Sequence, residues 1–190
     1  MTARLIIICH ASTDAVRRAA FPADEPLDDD GRARAASLAA ARPRAERCWS
    51  SPELRTRQTA EALELPAIAL ASLRDCNYGA WRGSTLKEVL ARDPDGVAAW
   101  LRDPAAAPHG GESLFSLMQR VAQWLDGENA MDRQAILVTH ASIIRAAIVH
   151  ALEAPPQAFW RIDIAPLSVT RLSGTNGRWN LVSVAAGFES

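Results

Sequence analysis

Lysine is nearly missing from this sequence. Lys87 is the only one, so arginine supplies almost all of the 21 basic side chains. Set against 22 acidic side chains the formal net charge is −1, which gives no electrostatic reason to expect nucleic acid or an anionic membrane as partner. Cysteine is scarce as well. Cys9, Cys48 and Cys76 are odd in number and form no CxxC spacing, which argues against a disulfide framework or a zinc site and fits a reducing cytoplasm. Long apolar runs are missing too. The stretch 5–9 is too short for a signal peptide or a membrane span. There are no repeats, and no low-complexity tract beyond Ala-rich patches. What remains is 190 residues with 48% hydrophobic and 23% charged side chains, enough for one domain with a sizeable core.

The stretch 4–9, RLIIIC, reads as a buried strand: continuous, apolar and isoleucine-rich. LDDDGRARAASLAAAR reads as a helix with an Asp near its start as the cap. AERCWSS is a second short strand. PELRTRQTAEALEL is a helix with Pro52 suited to its first turn, and AIAL is a third strand. LRDCNYGAWRG is loop-like, with glycines that permit tight turns. Residues 84–102 read as two short helices broken at Asp93 and Pro94, and DPAAAPHGGES as a loop. ESLFSLMQRVAQWL places Leu114, Leu117, Met118, Val121, Trp124 and Leu125 at helical spacing. QAILVTH is another buried strand and ASIIRAAIVHAL another helix. FWRIDIAPLSVTRLSGTNGRWNLVSV reads as strands with turns at Pro166 and around Thr175 to Gly177. Strands alternating with helices predict an α/β fold, a three-layer sandwich with a largely parallel sheet between helices.

In such sheets ligands bind beyond the carboxyl ends of the strands. His10 follows the first strand directly and His140 follows QAILVT, so if those strands are neighbours both imidazoles face one crevice. Arg55, near the start of the helix after CWSSP, Asp75, in the loop after the third strand, and Glu112 and Ser113, at the start of another helix, can reach the same crevice. Two histidines, an arginine and an acid form a phosphoryl-transfer set. A neutral imidazole attacks phosphorus, the other histidine and the arginine bind the equatorial oxygens, and the acid protonates the departing alkoxide. His109 has a weaker claim, and His150, late in a helix, reads as structural or exposed. Ser50, Ser51 and Thr139 read as strand terminators.

These motifs resemble the histidine phosphatase superfamily, the branch that holds acid phosphatases and cofactor-dependent phosphoglycerate mutases. The family's Arg-His-Gly after the first strand is matched by Cys9, His10 and Ala11, then Ser12 and Thr13. Its SSPLxRAxQTA helix is matched by SSPELRTRQTA, which aligns Arg55 with a phosphate-binding arginine. Its LxExxFGxWEG is matched by LRDCNYGAWRG, which puts Asp75 where the proton-donating Glu stands. HGGES and LVTHASIIRA match further segments, the latter supplying His140. The resemblance implies a phosphoglycerate mutase-like fold over 1–190, with a small lid at 76–112. It implies a phosphohistidine on His10, phosphate held by Arg55 and His140, and Asp75 as acid and then base. It also implies a small phosphorylated metabolite as substrate, and no metal or cofactor. Ser12 and Arg17 are further candidate phosphate contacts, and Trp81, His109, Glu112 and Ser113 candidate lid contacts. Trp81 and Trp100 could equally belong to the core. Short loops favour hydrolysis over mutase chemistry.

Cys9 departs from the pattern, because an uncharged thiol cannot replace a guanidinium fork. Either the enzyme is slow, or another arginine takes over the contact. Arg17 and Arg18 are nearest in sequence, and the slow reading is preferred because ordering a loop arginine costs entropy. A degenerate, non-catalytic anion-binding protein is the alternative that Cys9 keeps open. A cysteine-phosphatase reading fails because an arginine is needed six residues on, where Ala15 stands. A metal hydrolase using His10, His140, Asp75 and Glu112 would leave Arg55 beside a cation.

Overall fold

The computed structural model describes residues 3–127, 134–175 and 177–188. Its centre is a six-stranded sheet with β1 (Ala3–Cys9), β2 (Arg47–Ser50), β3 (Ile68–Ala69), β4 (Gln134–Thr139), β5 (Val169–Thr175) and β6 (Arg178–Ala186) in the order β3-β2-β4-β1-β5-β6. The first four strands in that row are mutually parallel, and β5 is antiparallel to both β1 and β6. The pleat sorts β1 cleanly. Leu5, Ile7 and Cys9 point to one face, where α6 (Leu114–Asp126) and α7 (Ala141–Ala151) cover them, while Ile6 and Ile8 point to the other, against Ala60 and Leu63 of α3 (Leu54–Ala62) and its exit. A strand buried on both faces needs no polar alternation, and the near-continuous apolar run of RLIIIC follows from that.

The helix signals act largely as expected. Asp28 caps α2 (Asp29–Ser37) by accepting from Gly31 N, and Asp93 caps α5 (Pro94–Arg102), separating it from α4 (Leu86–Arg92). Thr13 caps α1 (Asp14–Arg17), a single turn within what reads from sequence as a loop. Two segments differ from expectation. Pro52 lies ahead of α3 rather than in its first turn, because Glu53 is the N-cap and its side chain is engaged elsewhere. Phe159 to Arg161, expected to begin a strand, instead belong to a 3-10 segment, Pro156–Arg161. Pro155 and Pro156 have no N–H to give to a ladder. The turn expected around Thr175 to Gly177 contains Asn176, which lies outside the described residues. Among the described residues no helix is long and apolar enough to cross a membrane.

Candidate active site

The register of β1 and β4 builds the centre of the site. Cys9 pairs with Thr139, so the next residue of each strand, His10 and His140, emerges at the same sheet end, and His10 N donates to Thr139 O at 2.8 Å. The two rings stand edge to face with centroids 5.3 Å apart. His10 Nδ1 lies 2.7 Å from Ala11 O. A carbonyl only accepts, so Nδ1 carries the proton and Nε2 keeps a lone pair. Ala11 N in turn donates to Thr59 Oγ1 at 3.0 Å, which ties the turn after His10 to α3. Burial, then the neighbouring His140 and Arg55, hold the His10 imidazole well below its ordinary proton affinity, so it is neutral at neutral pH.

Arg55, fully buried on α3, places Nη2 2.7 Å from Asp75 Oδ2 and Nη1 4.0 Å from Glu25 Oε1. Asp75 also accepts from Ser142 Oγ and from Cys76 N, and its Oδ2 is 3.5 Å from His140 Nδ1. Burial alone would raise this carboxyl, but the charges of His140 and Arg55 outweigh it and hold the group below the usual range. His140 Nε2 donates to Glu53 Oε2 at 2.8 Å, while Glu53 Oε1 accepts from Asp75 N at 3.0 Å. Burial opposes the charge on Glu53 too, and the hydrogen bond and charge of His140 outweigh it. Three buried nitrogens around this centre have no hydrogen-bond partner among the described residues: Arg55 Nε, Arg55 Nη1 and His140 Nδ1. Orphaned buried polar atoms are rare and point to a ligand that completes them.

His10, Arg55, Asp75 and His140 all line one cleft of about 140 Å³, with Glu25, Tyr78, Ser142 and Arg145 among its other walls. A second hollow of about 210 Å³ shares Pro22, Arg55 and Asp75 with it and adds Glu53, Arg74 and Arg82. The N-terminus of α7 opens at the cleft with no side chain capping it, adding positive potential where an anion would sit. A larger hollow of about 620 Å³ between α6, α7 and β6 contains none of these groups. Cys9 is buried and its thiol is pushed up to about 12 by burial and by Asp75, against the pull of Arg145 and Arg55. It stays a neutral thiol, unfit as a nucleophile.

A profile of the histidine phosphatase superfamily, branch 1, matches residues 5–187. The chain belongs to that superfamily. It is 35% identical over 178 residues to a glucosyl-3-phosphoglycerate phosphatase of Mycolicibacterium vanbaalenii, covering 84% of this chain and 78% of that one. It is 33% identical over 131 residues to a bifunctional protein of Mycobacterium tuberculosis, covering 63% of this chain and only 35% of that longer protein's length. Among solved structures, a mycobacterial glucosyl-3-phosphoglycerate phosphatase complexed with VO3 superposes with a TM-score of 0.82 at 29% identity, over 97% of this chain and 100% of that one.

Of the residues singled out in the sequence, the structure brings His10, Arg55, Asp75 and His140 to the superfamily member's cleft. It does not bring the others there. Ser12 Oγ donates to Asp28 Oδ2 at 2.9 Å, and Arg17, on exposed α1, pairs with the same carboxylate at 3.5 Å and with Asp14 at 3.7 Å. Arg18 pairs with Asp14 at 3.3 Å. Trp81 is buried with Phe21, Val89 and Val97, and Phe21, Trp100 and His109 stand against its ring. His109 Nδ1 accepts from Gly111 N at 3.0 Å. Glu112 holds Arg120 in a two-pronged pair at 2.9 and 2.8 Å, and Ser113 caps α6. Glu25, Glu53, Tyr78, Ser142 and Arg145 escape the sequence reading. Glu53 is two residues before Arg55, and Ser142 and Arg145 follow His140 by two and five, so adjacency to a motif is their signal. Glu25 carries none.

Proposed function

We propose that the protein hydrolyses small phosphomonoesters through a phosphohistidine on His10. The observation that carries this is one juxtaposition: a neutral imidazole with a free Nε2 shares a cleft with the unpartnered buried nitrogens of Arg55 and His140. His10 Nε2 attacks phosphorus, the P–N bond forms as the ester P–O bond breaks, and the alcohol leaves with a proton from Asp75. Water then attacks the phosphohistidine, gives its proton to Asp75 and releases inorganic phosphate. Arg55 and His140, the latter held by Glu53, bind the equatorial oxygens throughout.

Asp75 is ionised in the free protein, yet the first step needs it protonated. An incoming phosphate resolves this, because its negative charge competes for Arg55 and His140 and raises the proton affinity of Asp75. The proton enters with a substrate monoanion or from solvent. Residues 76–112 serve as a rigid lid whose Tyr78 meets the cleft, tied down by the aromatic packing around Trp81. The alcohol portion extends into the hollow on the far side of Asp75. Relatives are named for glucosyl-3-phosphoglycerate, phosphoserine and α-ribazole phosphates, which supports a phosphorylated metabolite as substrate. Three free cysteines are consistent with the cytoplasm.

Rapid acid- and base-quench of turnover with a labelled aryl phosphate tests the mechanism. A base-stable, acid-labile phosphoenzyme is expected in the wild type, and its loss along with turnover in His10→Ala. An acid-stable phosphoenzyme, or one that survives His10→Ala, overturns the assignment.

A further inference from the structure

The place of the family's first arginine is held by Cys9, and the arginines nearest in sequence are turned to other partners. The structure offers a different cation. Arg145 on α7 lines the cleft together with His10, Arg55 and His140. Helix α7 covers the sheet face to which Cys9 points, and the Arg145 charge acts on that thiol more strongly than the charge of Arg55 does. Two contacts orient the Arg145 side chain. Nε donates to Ile162 O at 2.7 Å, and the guanidinium carbon lies 5.6 Å from the centre of the Phe159 ring. Both terminal nitrogens, the prongs that grip a phosphoryl group, have no hydrogen-bond partner among the described residues. Here the helix supplies an ordered arginine, and the entropic objection to a loop arginine does not apply.

We infer that Arg145 is the second guanidinium of the phosphate site, taking over from α7 the contact that Cys9 cannot make from β1. The inference rests on the phosphatase reading for its activity arm, and on anion binding alone for the other. The test measures kcat/KM on p-nitrophenyl phosphate and Kd for orthovanadate, in wild type, Arg145→Ala, Arg145→Lys, Cys9→Arg and Cys9→Arg/Arg145→Ala, with Tm for each. Arg145→Ala is expected to lower kcat/KM by about 10²–10³-fold and to weaken vanadate. Arg145→Lys should recover only part of the loss, since it keeps the charge without the fork. Cys9→Arg should raise kcat/KM at least about tenfold more in the Arg145→Ala background than in wild type, because only there is a guanidinium missing. If Arg145→Ala does not fold, Arg145→Gln replaces it in both arms. A variant within about threefold of wild type in both readouts overturns the inference. So does a loss that tracks Tm and gains nothing from Cys9→Arg, which marks Arg145 as a packing residue. If no protein turns over substrate while loss of Arg145 still weakens vanadate and Cys9→Arg restores it, the inference stands and the hydrolase reading fails.

Discussion

Four partners converge on the Asp75 carboxylate: Arg55, Ser142, the Cys76 N–H and, at 3.5 Å, His140. They hold it in place and they also withhold its proton, so Asp75→Asn removes two things at once. On the proposed mechanism it abolishes proton donation, and it leaves the buried Arg55 without its 2.7 Å counter-ion. The loss of the ion pair weakens every substrate alike. The loss of the proton falls only on esters whose alkoxide leaves poorly. We predict that Asp75→Asn lowers kcat/KM for an alkyl phosphate at least about 10²-fold more than for p-nitrophenyl phosphate. Equal losses on the two esters would remove Asp75 from the acid role.

Helix α2 shows how an element's position, rather than its propensity, serves the site. A Cβ on Gly31 would overlap the backbone oxygen of Ser12, two residues after His10. The same joint is closed by Asp28, whose side chain takes both Gly31 N and Ser12 Oγ. Alanine is the better helix former by about 1 kcal/mol. Overlap with backbone cannot be relieved by a rotamer change, so the tertiary clash wins. Gly31→Ala is expected to destabilise the fold by about 1–3 kcal/mol in urea unfolding, and to lower kcat by shifting the turn that carries His10. A stabilised Gly31→Ala would show that this joint yields freely. Helix α3 makes the complementary point. Glu53 is its N-cap residue, yet its carboxylate serves His140 and Asp75 N instead of the helix. A boundary set by such a tie cannot be placed from capping rules.

At the scale of the molecule, the site makes stability depend on pH. His10 and His109 are both held below the ordinary imidazole value of 6.5, chiefly by burial. Glu53 and Asp75 are held below 4.5 and 3.8 respectively, burial opposing and His140 prevailing in each. Every one of these shifts has the same sign. The unfolded chain binds protons that the folded one refuses, so stability is fully present above the unfolded values and falls with pH, first through the histidines below 6.5 and then through the carboxylates. We predict a Tm that declines between pH 6.5 and 4.5, with a shallower decline in His10→Asn, read by thermal unfolding in buffers of matched ionic strength. A flat profile, or equal slopes for the two proteins, would contradict it. On the proposed mechanism catalysis runs the other way in this range, since His10 keeps its lone pair while Asp75 gains its proton more easily.

Local pattern determined a good deal by itself. The double-sided burial of β1 and β4 is written in unbroken apolar runs, and the capping of α2 and α5 in single aspartates. His10 and His140 are legible as strand-tip residues, and Arg55 and Asp75 as members of motifs, because each sits at a fixed offset from an element the chain forms locally. Only the tertiary structure decided what those residues meet. Strand order put β1 beside β4, and with it two imidazoles 5.3 Å apart. Packing put Trp81 and His109 into an aromatic block, and exposed ion pairs kept Arg17 on the surface. The crossing of α7 over β1 brought Arg145 into the cleft with His10, across 135 positions of chain, from 10 to 145. A sequence pattern carries the period of an element and therefore its faces. It carries no information on which distant face will be laid against which, and the partner of a buried charge is settled there.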